Sequence, residues 1–381
     1  MAINKLTTGD KRWQFDWTTT EGIRKRKRFA TKREAEEFQR VTLHAVRSGS
    51  YIDPKVASKT TVDMLYREWI ERIRKVGATG RKPASAKTLD NYRRYYENYV
   101  APRWAHTPLT GVSYASTAEW ITTLDGRDRR PAGQTTRREV GLMFGRLLGH
   151  AVKKGLLPSN PTKDAVGGTD YIPAVAKQRE HVYLSMRQLT VLASAAGEFD
   201  LLIMMAGTCG LRWGEITALT ADDVTFGARP SISVNKAYSE VSGSLIIGAT
   251  KAGERRTVPV PRTIAKRLEQ VTDSLAPSGR LFSTTQGAVL RNSTWTKRHY
   301  TSAIARAAEL EAGFPRPTFH DLRHTAVSLA ISVGANVKVV QRIAGHASAT
   351  MTLDTYAGLF DDDLHDSAGR LNSALTSLDW N

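Results

Sequence analysis

Between Thr318 and Tyr356 the chain reads TFHDLRHTAVSLAISVGANVKVVQRIAGHASATMTLDTY, which gathers His320, Arg323, His324, His346 and Tyr356 in one stretch. His320 and Arg323 stand three residues apart, so on a helix they are neighbours in one turn. In a first turn, beside the positive helix end, both can face one ligand, and that ligand is an anion. A second arginine, Arg212, lies upstream in the apolar run TCGLRWGEITAL, where a guanidinium needs an anionic partner. Glu215, one turn on, can orient Arg212, and it can equally be a purely structural partner. Cys209 in the same run is most simply a small core residue, because no histidine in the local sequence marks it as an activated thiol.

The elements that position these groups follow from local signals. Thr318 is an N-cap with Asp321 three residues on, and Pro317 forbids an earlier start, so a helix opens here. Leu322, Ala326, Leu329, Ala330 and Val333 give it a buried face, and Gly334 stops it. A second apolar pattern through Val337, Val340, Ile343 and Ala344 ends at Gly345, which places His346 on a turn. Ser348 or Thr350 caps a further short helix that carries Tyr356.

The 381 residues suffice for two or three domains, each with its own core. Lys plus Arg is 55 against 37 for Asp plus Glu, a net charge of +18, which points to a polyanion and first of all to nucleic acid. A single cysteine rules out an internal disulfide and fits a reducing cytosol. The start, MAINKLTTGDKRW, has no apolar signal core, and the apolar run near Leu201 to Leu211 is far short of the ~20 residues that span a bilayer, so the expectation is a soluble cytoplasmic protein.

From the N-terminus, Trp13, Phe15 and Trp17 alternate as in a strand, and the cationic run Arg24, Lys25, Arg26, Lys27, Arg28 ends in Phe29. Thr31 and Glu34 form a capping box for a helix with the stripe Ala35, Phe38, Val41, Ala45. A linker over 48–59 precedes an all-helical region: Val62, Leu65, Trp69, Ile73 and Val76 on one helix, then a basic loop from Gly77 to Lys87 that includes Lys82. Leu89, Tyr92, Tyr96 and Tyr99 follow on a helix closed by Pro102, the tyrosines serving as core. Further helices run near 116–124 and 135–154. After a second linker over 160–179 come helices from Leu184 and Phe199, strands at 231–234 and 244–247, and a basic turn from Thr250 into another strand. Helices near 263–275 and 293–311 lead back to Thr318, with Trp295, Lys297, Arg298 and His299 as phosphate-contact candidates.

His320-x-x-Arg323, then Gly345-His346, then Tyr356 resembles the C-terminal signature of the tyrosine recombinases, the phage integrase family. Gly210-x-Arg212-x-x-Glu215 followed by Leu219 resembles that family's first catalytic box. Ala344 stands where the family commonly has leucine, a packing position. Lys251 matches the family's cleft lysine in place and surroundings, although by itself an exposed lysine is usually a solvated charge. The N-terminal pattern resembles an AP2-like arm-binding domain, whose sheet lies in the major groove; residues 151–161 resemble the end of the core-binding domain. The resemblance implies a multidomain α+β fold: a small sheet and helix over 1–55, an all-α SAM-like core-binding domain over 60–165, and a mainly α catalytic domain with a small antiparallel sheet over 175–381. The DNA-contact candidates are Arg24, Lys25, Arg26, Lys27, Arg28, Lys82 and Lys87.

Opening a phosphodiester with a protein nucleophile requires charge neutralisation on the non-bridging oxygens, an activated attacker and an acid for the leaving oxygen. The resemblance implies Arg212 and Arg323 for the first, Tyr356 as nucleophile, Lys251 as acid, His320 and His346 as phosphate ligands and proton carriers, and Glu215 in support. Energy held in a 3′-phosphotyrosyl bond needs neither cofactor nor metal. It also implies core-type and arm-type attachment sites on double-stranded DNA, a homotetramer, a host DNA-bending protein, an excisionase, and action in a bacterial host cell at the nucleoid. Three rivals stand beside it. His320-Asp321-Leu322-Arg323-His324 superficially resembles a His-Glu-x-x-His zinc helix, with Asp too short for the usual base and no clear third ligand. A DNA-binding regulator, or an inactivated recombinase, would not need Tyr356. A type IB topoisomerase would have no purpose for an arm-binding domain. The tail over 358–381, with Leu359, Leu364, Leu371, Leu375 and Leu378, suits packing on its own or a neighbouring protomer.

Overall fold

The computed structural model describes residues 3–19, 22–47, 51, 54–77, 80, 82–128, 130–164, 166–175, 180–250, 255–346, 348–356 and 376. Lys251 and the leucine-bearing tail over 358–381, Thr376 apart, lie outside the described residues. The chain divides into two units, Met1–Gln178 and Arg179–Asn381.

The first unit opens with an antiparallel sheet of β1 (Ile3–Lys5), β2 (Trp13–Thr18) and β3 (Arg24–Phe29), packed on helix α1 (Lys32–Arg47). Phe15 and Trp17 are buried, as their alternation requires. Pairing of Trp13 with Phe29, Phe15 with Lys27 and Trp17 with Lys25 puts those two lysines on the helix-facing side. There the Lys27 ammonium sits 4.3 Å from the Phe38 ring centroid. Arg24, Arg26 and Arg28 share the outer side with Gln14, Asp16 and Thr18. The expected five-cation strand is thus two sets, since successive strand residues must point to opposite faces. The helix stripe is corrected too: Val41 is 61% exposed, and the buried face runs through Ala35, Phe38 and Thr42.

A second core in the same unit is built by α2 (Pro54–Lys59), α3 (Val62–Val76), α4 (Ala86–Tyr95), α5 (Ala101–Trp104), α6 (Tyr114–Thr122) and α7 (Gln134–Lys153). Thr61, Ser85 and Ser113 cap three of them through side-chain oxygens. Tyr92 and Tyr96 are core, and Tyr96 stacks on Tyr66 at 3.5 Å. Pro102 does not close the helix. A π-helical stretch, Tyr96–Val100, widens the turn ahead of it, and Pro102 lies in the first turn of α5, where its missing N–H is tolerated. Lys82 is exposed, and Lys87 lies 3.6 Å from Asp90.

The second unit comprises α8 (Met186–Ala196), α9 (Asp200–Cys209), α10 (Trp213–Ile216), β4 (Val224–Thr225), β5 (Ser231–Val234), β6 (Lys236–Val241), β7 (Ser244–Ala249), β8 (Arg256–Pro259), α11 (Arg262–Thr272), α12 (Asn292–Trp295), α13 (Thr301–Leu310), α14 (Phe319–Ser332), α15 (Val337–Ala344) and α16 (Ala349–Tyr356). Its strands form the antiparallel sheet β4-β5-β8 and the hairpin β6-β7. Helices α8, α9 and α14 pack around one apolar core that takes in Leu189, Met205 and Leu322. Trp295, a candidate phosphate contact, is corrected: it is 2% exposed and packs against Trp213, Phe319 and Tyr300 in that core. Its neighbour His299 packs on Phe199. The stretch Met186–Cys209 is long and apolar enough to cross a membrane by length and composition, yet it is two packed core helices joined by a 3₁₀ turn.

Candidate active site

Helix α14 starts at the capping box expected of it: Thr318 N–H and Oγ donate to Asp321 Oδ2 at 2.7 and 2.8 Å, and Asp321 N–H donates to Thr318 Oγ at 3.2 Å. This sets His320 and Arg323 in the first turns. Gly345 closes α15 in the left-handed region, φ +60°, and turns the chain toward His346. Gly210 ends α9 likewise at φ +64°, and its carbonyl accepts from Arg323 Nη1 at 2.6 Å.

Arg212 caps α10. Its backbone N–H and Nη1 donate to Glu215 Oε2 and Oε1, both at 2.9 Å. Glu215 is 1% exposed and also receives Arg256, through Nη1 at 3.0 Å and Nη2 at 2.7 Å. Burial alone would raise the Glu215 carboxyl, but the Arg256 hydrogen bonds and charge, then Arg212, carry it down to about 2. Arg323 is 3% exposed. Burial, then repulsion from Arg212, pull it down to about 9, so it stays charged at neutral pH in a site where a further anion is welcome. Arg212, Arg256 and Arg323 against Glu215, three positive charges less one negative, leave two positive charges beside the histidines.

Those histidines are neutral at pH 7. His346 is lowered to about 4 by burial and then by Arg323, Arg212 and Arg256; its Nδ1 pairs with Thr352 Oγ at 3.0 Å, which leaves Nε2 for a ligand. His320 is lowered by burial, then by Arg323 and Arg212.

Tyr356 is 1% exposed, and its ring lies nearly parallel to that of His346, 6.3 Å away. Burial pushes its phenol up to about 12, partly offset by Arg323. The hydroxyl lies 2.6 Å from His324 Nδ1. His324 is itself lowered to about 4, by burial first and then by His181 and His320, so a neutral ring hydrogen-bonds the phenol. The structure thus brings Arg212, Glu215, His320, Arg323, His346 and Tyr356 to one place. The sequence reading missed Arg256, which sits in the basic turn it named but carries no motif. It also missed His324 as the tyrosine's partner, and His181 and Tyr183, which a Leu184 N–H bond to Thr325 Oγ (3.1 Å) ties to α14.

His181, Asp321 and His324 bring candidate metal-ligating atoms within 4.8 Å of one another. This is the third partner that the zinc-helix reading lacked, but the arrangement does not suit an ion. The His181 and His324 rings stack at 3.7 Å and 24°, so their in-plane lone pairs run side by side rather than converging. His324 Nδ1 is taken by Tyr356, Asp321 Oδ2 serves the helix cap, and His320 is not in the group.

Cys209, fully buried, has its thiol pushed up to about 11 by desolvation, as befits an inert core residue.

Comparison with known proteins bears on the same segment. Residues 181–362, which contain every element of the site, match the model of the phage integrase family. A tyrosine recombinase XerC-like protein of Caldanaerobacter subterraneus subsp. tengcongensis is 23% identical, with 92% of each chain covered. The integrase of Staphylococcus phage L54a is 25% identical over 55% of this chain and 68% of its own. Among solved structures, the Tn1549 transposon integrase in complex with circular intermediate DNA superposes with a TM-score of 0.63 at 20% identity, covering 82% of this chain and all of that one. A lambda integrase tetramer bound to a Holliday junction gives 0.53 at 18% identity, covering 92% and 97%. A buried arginine, Arg323, with Arg212 beside it, neutral histidines and a tyrosine are set within the matched segment: residues 181–362 are a domain of the phage integrase, or tyrosine recombinase, family.

Proposed function

We propose that this protein is a site-specific DNA recombinase, the integrase of a phage or similar mobile element, which cuts and rejoins DNA through a 3′-phosphotyrosyl intermediate. The observation that carries the reading is the convergence of Arg212, Arg323, His320, His346 and Tyr356 from separate segments around two uncompensated positive charges. A pentacoordinate phosphate in the transition state gathers negative charge, and fixed guanidinium forks stabilise it there more than in the ground state. Arg212 and Arg323 take the non-bridging oxygens. His346 and His320, each neutral with one N–H and one lone pair, hydrogen-bond the phosphate through N–H or assist transfer of the phenol proton through the lone pair. Lys251 gives a proton to the 5′ oxygen as it leaves. Tyr356 must first leave His324 and its buried pocket, so the resting site is closed until DNA arrives. Attack by the 5′ hydroxyl of another strand on the phosphotyrosine then restores a phosphodiester.

Lambda integrase is found as a tetramer on a Holliday junction, and we take a homotetramer as the exchange unit here. The helical region over 60–165 and the catalytic region over 175–381 would hold core-type sites, with Lys82 and Lys87 near the backbone. The sheet over 1–55, as an AP2-like domain, would hold arm-type sites through Arg24, Arg26 and Arg28, with Lys25 and Lys27 flanking. A host DNA-bending protein and an excisionase would set geometry and direction in the bacterial cytoplasm. The test is covalent trapping in chelator on nicked duplexes from DNA flanking the gene. A detergent-stable adduct with wild type and none with Tyr356→Phe supports the proposal; binding by both with no adduct from either refutes cleavage.

A further inference from the structure

Three guanidiniums close on the last turn of α15, one per carbonyl. Arg256 Nε donates to Ile343 O at 3.3 Å, Arg323 Nη2 to Ala344 O, and Arg212 Nη2 to Gly345 O at 3.3 Å. Arg212 and Arg323 are the phosphate ligands of the proposed function. Arg256, at the start of β8, belongs to no motif. It is 11% exposed at the side chain, and all three of its nitrogens are engaged, two on Glu215 and one on Ile343. It is therefore committed to protein groups rather than to substrate.

We infer that Arg256 is a positioning residue for strand cleavage: it clamps Glu215, which aims the guanidinium of Arg212, and it braces the turn that presents His346. This rests on the proposed function of the same site. Glu215 accepts both from Arg212 and from Arg256, so the carboxylate is a bridge whose orientation neither partner sets alone. A planar fork holds both carboxylate oxygens at once; a lysine satisfies one and leaves the other free to rotate. Contact with the turn is equally close. A Cβ built on Gly345 would lie 3.0 Å from Cδ, Nε and Cζ of Arg256, so the arginine packs flat on the residue before His346. A displacement of about 1 Å at a reacting group costs on the order of 100-fold in rate, which is the scale at stake.

The experiment compares full-length wild type, Arg256→Lys, Arg212→Ala and the double variant on the nicked trapping duplex. It reads the rate of adduct formation, the duplex Kd by gel shift and the melting temperature. Arg256→Lys keeps the charge and is chosen to fold. The expected result is a roughly 10- to 100-fold slower adduct with Kd within about twofold of wild type. The double variant should be no slower than Arg212→Ala, because the two residues act through one guanidinium. Cleavage by Arg256→Lys at the wild-type rate, or losses that multiply in the double variant, would overturn the assignment. A readout independent of activity is the NMR signal of the Arg212 Nε–H group, expected to broaden or shift in Arg256→Lys; an unchanged signal also overturns it. If wild type forms no adduct on a duplex it binds, the proposed function fails, while the NMR comparison still decides what Arg256 does.

Discussion

Replacement of Glu215 by glutamine is the sharpest test of the electrostatic account. The carboxylate is 1% exposed and accepts four hydrogen bonds, two from Arg212 and two from Arg256. Its pKa falls from 4.5 to about 2, and at 1.36 kcal/mol per pH unit that difference is about 3 kcal/mol of folded-state preference for the anion. Glutamine keeps the shape but removes the charge and turns an N–H₂ toward one guanidinium, leaving buried cations unpaired, a change worth about 3–5 kcal/mol. For a unit of this size each kcal/mol moves the melting temperature by about 2–4 °C, so the variant should melt roughly 6–20 °C lower at pH 7. The sign of the pH dependence is fixed as well. A depressed carboxyl stabilises fully above its unfolded pKa of 4.5, and that contribution is lost as pH falls through about 2. Urea unfolding of both proteins between pH 7 and 3 should therefore show the gap narrowing below 4.5. A melting shift under about 2 °C, or a gap independent of pH, would refute the reasoning.

Other consequences follow from the same contacts. Tyr356→Phe, beyond abolishing adduct formation, should destabilise the protein by about 1–3 kcal/mol in urea unfolding, because His324 Nδ1 then loses its buried partner; no change would mean the bond is not formed in solution. His324 and His346 are neutral in the fold down to about pH 4 but take a proton at about 6.5 when unfolded, so the unfolded chain binds more protons between these values. Stability should be complete above pH 6.5 and decline as pH falls from there toward 4, with a shallower decline in His324→Phe, measurable by urea titration. Gly345→Ala should lower both the melting temperature, by several degrees, and the adduct rate, since it sets a Cβ against Arg256 at a left-handed backbone position. In the N-terminal sheet, Arg26→Ala should weaken the proposed arm-type DNA binding more than Lys27→Ala, because Arg26 is on the outer face and Lys27 is on the side of Phe38; a gel shift across a salt series checks the order.

Much of this protein is written locally. The Thr318 cap and the Gly345 stop are decided by a few adjacent residues, and the order His320, Arg323, His346, Tyr356 carried the resemblance to the family. The alternation at Trp13, Phe15 and Trp17 was enough to foresee a strand, because each signal depends on backbone geometry within one or two turns. Local signals erred where a neighbour arbitrates: the buried face of α1, the passage of the helix through Pro102, and the burial of Trp295. Only the tertiary structure could bring Arg256 from β8 to a carboxylate 41 residues earlier. The same holds for His324, whose role as the partner of Tyr356 depends on how α14 and α16 lie together. A buried charge or hydroxyl takes whatever partner packing supplies. Spacing along the chain fixes which groups share a turn, while the low-dielectric interior, closed by distant segments, determines which are charged, which are neutral and what holds each in place.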